Sequence, residues 1–209
     1  MTRKMMVICE ICMDWKSLST TSPMLRPSSA TPADGPATVI LCWASCFCTL
    51  GVADALGLPF VLPYLAKGKN NFSAGVNFAV VGAPALNLTY LQGQNMTVNP
   101  PIKSSLDDQL VWFEKLKPSL CRGQGANSFG STLFVMGEFG SNDHFIFLTS
   151  NRTVEQARTY VPKIVGSISK GVERLIQHGA KYIVVADMYP LGCFANRAHS
   201  AREQRQGRL

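Results

Sequence analysis

Two short, uninterrupted apolar runs constrain this chain most: Thr132-Leu-Phe-Val-Met-Gly137 and Tyr182-Ile-Val-Val-Ala186. The first, apolar beyond Thr132, reads as a buried strand, and the second as a further, fully apolar strand. Between them, Thr153-x-x-Gln156 has the spacing of a capping box. Val154, Ala157, Val161, Ile164, Val165, Ile168, Val172, Leu175 and Ile176 then fall on one helical stripe that stops at Gly179. Pro162 and Gly166 weaken the middle of that helix and are expected to bend it. Strand, helix and strand at this spacing make a βαβ unit, whose strands are parallel neighbours. The fold class is therefore α/β, with helices covering the sheet.

The first run breaks into Gly137-Glu-Phe-Gly-Ser-Asn-Asp143, where a loop must begin. In an α/β protein, chemistry gathers at the carboxyl end of such a strand. Asn142 brings a side-chain amide there, a ready donor to a polarised oxygen. Upstream, Val76 to Ala83 reads as a strand running into a glycine turn, and 84–103 as polar loop. Ser105 with Asp108 caps a helix whose Leu106, Leu110, Phe113 and Leu116 face one way, and Pro118 is expected to end it.

Residues 1–36 are aperiodic and dense in Ser, Thr and Pro beyond Ser17, so they read as disordered or as a linker. Residues 35–53 form an uncharged run of borderline length for crossing a bilayer, so membrane contact through this run is one reading. With 46% apolar and 16% charged residues in a chain of 209, the composition is globular rather than disordered. Part of the +7 net charge sits in Arg197, Arg202, Arg205 and Arg208. No aromatics interleave with them, so 195–209 reads as a solvated, disordered basic tail rather than a nucleic-acid site.

Five of the seven cysteines lie in the first 50 residues, and Cys9-x-x-Cys12 has zinc or redox spacing. It lacks a second ligand pair and a following βαβ unit, so no metal site is expected. Four sequons, at Asn71, Asn87, Asn95 and Asn151, point to glycosylation and secretion. The opening MTRKMMVICEICMDWK does not fit a signal peptide, because Glu10 and Asp14 interrupt its apolar part.

From about Ala53 to about Cys193 the chain resembles plant GDSL esterases/lipases of the SGNH hydrolase superfamily. The resemblance is carried by Ala55-Leu-Gly-Leu-Pro-Phe60, Gly75-Val-Asn-Phe-Ala-Val-Val-Gly-Ala83, Gln109-Leu-Val-Trp-Phe113, Pro118-Ser-Leu-Cys121, Leu133 to Asp143, and Tyr189-Pro-Leu-Gly-Cys193. It implies a three-layer α/β/α fold with a mostly parallel central sheet, incomplete here. It also implies hydrolysis of a small-molecule or lipid ester through a serine acyl-enzyme, with no cofactor. The implied oxyanion hole takes the N–H of Gly82 and the side chain of Asn142. In many such relatives Cys121 and Cys193 form disulfides with partners further along.

The departures are as informative. No aspartate is followed by serine, so the Gly-Asp-Ser block of the nucleophile is absent. None of His144, His178 and His199 has an aspartate three residues earlier, so the Asp-x-x-His block is absent too. Residues 1–52 and the tail from about 195 are accordingly expected not to be family sequence, leaving 53–194 as a partial hydrolase domain. Missing its first strand, such a domain would expose a central sheet edge. Ala126-x-Ser128-x-Gly130 resembles a nucleophile elbow but precedes a strand instead of following one. Ser167-x-x-Lys170 has the spacing of a Ser–Lys pair but reads as helix surface, and His144 reads as a packing residue. Glu138 and Asp143 are expected to bond backbone N–H groups. The rival reading is a secreted or membrane-anchored binding protein that uses the same cleft without catalysis.

Overall fold

The computed structural model describes residues 4–11, 57, 61–66, 71–96, 102–121 and 129–188, and Met6 alone among the side chains of the first strand. Among the described residues, six strands form one sheet: β1 (Lys4–Ile11), β2 (Leu62–Pro63), β3 (Gly75–Asn77), β4 (Val80–Val81), β5 (Thr132–Gly137) and β6 (Tyr182–Val185). The order is β2-β3-β1-β5-β6, with β4 also pairing β1, and every pairing is parallel. The βαβ unit is present: β5 and β6 are parallel neighbours, in register from Leu133↔Tyr182 to Met136↔Val185.

The largest departure from the sequence reading is β1. The 1–36 segment, taken as disordered or as a linker, supplies at Lys4–Ile11 the central strand of the sheet. β1 pairs β5 from Lys4↔Thr132 to Cys9↔Gly137 and pairs β3 from Met5↔Gly75 to Val7↔Asn77. The physical reason is the unbroken run Met5-Met-Val-Ile-Cys9, and Met6 is 0% exposed. No central edge is left open between β3 and β5. The exposed apolar edge is β6 instead, where Tyr182, Val184 and Val185 face solvent.

The helices are α1 (Leu88–Gly93), α2 (Leu106–Leu120), α3 (Ser141–Thr149), α4 (Val154–Thr159) and α5 (Val161–Gln177). α1 stands inside the stretch read as polar loop, because Asn87 caps it by accepting the Thr89 N–H at 2.8 Å. Both expected capping boxes form, Ser105 with Asp108 on α2 and Thr153 with Gln156 on α4. Pro118 does not end α2, which runs on to Leu120. The helix expected from Thr153 to Gly179, bent at its middle, is instead two helices broken at Tyr160, and Pro162 stands in the first turn of α5, where a missing N–H costs nothing.

Phe134 and Met136 of β5, two residues apart, share a face of the strand. Phe134 meets Phe113 of α2 edge-on at 5.5 Å between centroids, and Phe129 and Phe78 extend the ring cluster. Gly171 of α5 lets that helix close on Met136 and on Leu106 and Leu110 of α2. On the other face of β5, Val135 is also buried, so this strand is covered on both sides. The apolar run 35–53, Ser128, Cys193 and the basic tail lie outside the described residues. No helix among the described residues is long and apolar enough to cross a membrane.

Candidate oxyanion site

The carboxyl ends of β1, β4 and β5 lie side by side, because Ile11 is in register with Val81 and Cys9 with Gly137. Each of the last two strands ends in a turn that only glycine makes easily. After β4 the chain reverses at Gly82, with φ 80°. After β5 it passes through Glu138 at φ 50° and Gly140 at φ 120°, and then enters α3. A side chain at Gly140 would also meet Ile164 and Met188, both at 3.5 Å.

Asn142 is the second residue of α3, where the helix dipole favours developing negative charge. It is 1% exposed, and its Nδ2 lies 3.3 Å from the carbonyl oxygen of Ala83, the residue after Gly82. Gly82 is buried as well. The two residues implied by the resemblance are thus brought to one place by separate strands.

Asp143, next in α3, is 0% exposed. Its Oδ2 accepts the Ala85 N–H at 2.8 Å and its Oδ1 the Leu86 N–H at 2.9 Å. Burial pushes its carboxyl up, while those two N–H groups pull the other way without cancelling the rise. As expected, its acceptors serve the backbone. His144 turns Nδ1 onto the Gly140 carbonyl at 2.7 Å, so that nitrogen serves its own helix start. Ser167 departs from the helix-surface reading: its hydroxyl donates 2.6 Å to the carbonyl of Ala85, far along the chain. Nothing in the local sequence signals that bond, since it depends on how α5 lies against the turn.

Among the described residues, no three His, Cys, Asp or Glu side chains are grouped to hold a metal ion. At the carboxyl end of β1, which sits between the Gly82 and Gly137 turns, the sequence reads Cys9-Glu-Ile-Cys-Met-Asp14, with no Gly-Asp-Ser. The asparagines of the four sequons, Asn71, Asn87, Asn95 and Asn151, are all exposed.

Residues 29–209 match the model of the GDSL-like lipase/acylhydrolase family. The central strand β1 lies outside that match. A GDSL esterase/lipase of Arabidopsis thaliana is 37% identical over 150 residues, 69% of this chain and 40% of that protein. Acetylajmalan esterase 1 of Rauvolfia serpentina is 36% identical over 151 residues, 71% of this chain and 39% of its own. This chain therefore spans about two fifths of the length of these curated relatives. No solved structure matches it.

Proposed function

We propose, for a chain that belongs to the GDSL-like lipase/acylhydrolase family, that it carries the oxyanion-stabilising wall of a carboxylic ester hydrolase. The observation that carries this is the convergence of the Gly82 turn and the Asn142 amide at the ends of the two strands that flank β1, with Nδ2 3.3 Å from the Ala83 carbonyl. When a nucleophile adds to an ester carbonyl, the oxygen becomes an anion. The Gly82 N–H and the Asn142 amide donate to it, and the positive end of α3 adds to both. Buried, fixed donors need no reorganisation as the charge develops, and one such donor is worth about 3 kcal/mol of barrier.

The other half of the chemistry has no counterpart in these 209 residues, which hold neither Gly-Asp-Ser nor Asp-x-x-His. His144 donates its Nδ1–H to the Gly140 carbonyl, which orients the ring, but no Gly-Asp-Ser serine is present for it to deprotonate. The polypeptide by itself binds an acyl oxygen without serine-dependent turnover. The finer fold belongs to the same reading: a three-layer α/β/α arrangement around the parallel sheet, supported by the burial of β5 on both faces. Glycosylation at Asn71, Asn87, Asn95 and Asn151, and hence secretion, is supported by their exposure.

The test is hydrolysis of p-nitrophenyl acetate and butyrate by the purified chain, with and without a serine-directed phosphonate. Release of p-nitrophenol at the buffer rate is the expected result. Turnover abolished by the phosphonate would overturn this reading.

A further inference from the structure

The turn after Gly82 is fixed from every side. The Ala83 N–H donates to Val80 at 3.2 Å, and the Pro84 carbonyl accepts from the Leu106 N–H of α2 at 3.0 Å. The Ala83 carbonyl accepts from Asn142. The Ala85 and Leu86 N–H groups both go to Asp143, and the Ala85 carbonyl accepts from Ser167. Three helices thus hold four consecutive residues, and three of the contacts involve two side chains, Asp143 and Ser167, with no place in the oxyanion hole itself.

We propose that Asp143 and Ser167 are positioning residues that clamp 83–86 from two helices, so that the Gly82 amide and the Asn142 amide keep one fixed alignment. The inference rests on the oxyanion reading above. Its physical basis is that Gly82, at φ 80°, is a free hinge unless the residue chain beyond it is held. A donor misplaced by about 1 Å loses most of its value to a developing charge. Asp143 adjoins Asn142 in α3, so one helix turn sets both the donor and the tether of the opposite donor. Ser167 adds a second hold from α5, and its short 2.6 Å bond to the Ala85 carbonyl restrains that peptide.

The experiment uses the isotopically labelled chain and its S167A, S167T and D143N variants. Three quantities are read: the Gly82 backbone and Asn142 side-chain amide resonances, amide exchange at Ala83, Ala85 and Leu86, and affinity for sodium butyrate, whose carboxylate stands in for the oxyanion. S167A is expected to shift both amide resonances, to speed exchange, and to weaken butyrate binding about fivefold, the size of one lost neutral hydrogen bond. S167T, which keeps the hydroxyl, restores all three, and D143N exceeds S167A. If S167A leaves the resonances and exchange as in the parent chain, the clamp is refuted, and so it is if S167T fails to restore them. Should the parent chain bind no butyrate, the oxyanion reading falls alone. The resonances and exchange of the free protein still decide the clamp.

Discussion

Replacing Glu114 by Gln should destabilise the protein at neutral pH and leave it unchanged in strong acid. Glu114 of α2 lies against α5, where its Oε1 accepts from Arg174 Nε at 2.6 Å and its Oε2 from Arg174 Nη2 at 2.8 Å. His178 Nε2 also reaches Oε1, at 2.9 Å. Arg174 chiefly, opposed by burial and assisted by His178, holds the carboxyl at about 2 against an ordinary 4.5. That depression corresponds to at most roughly 3 kcal/mol. With about 30% of both side chains in water, screening leaves about 1–2 kcal/mol.

The folded pKa is the depressed one, so the contribution is complete above pH 4.5 and disappears as pH falls toward 2. Urea unfolding of E114Q and the parent chain at pH 7, 5, 4 and 3 reads this directly. The gap is expected to be about 1.5 kcal/mol at pH 7, equivalent to about 3–6 °C in Tm for a chain of this size. It should shrink through pH 4 and be smallest at pH 3. A gap equal at all four values would assign the loss to packing and refute the charge argument, and no gap at pH 7 would refute the ion pair.

Other substitutions separate local from tertiary effects. Gly166→Ala should stabilise by about 0.5–1 kcal/mol, since an added methyl meets nothing within 4 Å in the helix interior. Gly171→Ala, five residues on, should lose that gain, because its methyl meets Leu106 and Met136 at 3.3 Å; thermal melts of the two compare them, and equal stabilisation would contradict the tight approach of α5. Phe113→Ala should cost about 3–5 kcal/mol in denaturant unfolding, because the ring is 0% exposed and meets Phe78, Phe129, Phe134 and His178.

How far the sequence reached depended on whether a feature was local. The β5–β6 unit, both capping boxes and the Asp143 acceptor role were legible, because each is written within a few residues or in one periodicity. α1 is hidden because Asn87 serves both as a sequon and as a helix cap, and a six-residue helix within polar sequence leaves no periodicity. β1 was missed because a five-residue apolar run is too short to stand out beside a Ser- and Pro-rich neighbour. Its place in the sheet comes from pairing with strands more than 60 residues away. Asn142 is legible from its place in the loop after an apolar strand, whereas Gly82 comes from the resemblance alone. The Ser167 bond to Ala85 belongs to tertiary packing alone, and no spacing rule reaches across 82 residues.

Asn142 and Gly82 are proposed to form an anion-stabilising wall at the carboxyl edge of the sheet. Titrating the labelled chain with sodium butyrate, beside an N142A variant, tests it most directly. Saturable movement of the Gly82 backbone amide and the Asn142 side-chain amide, with affinity lost in N142A, is the predicted result. Movement that spares both amides, or binding that survives N142A unchanged, would contradict it.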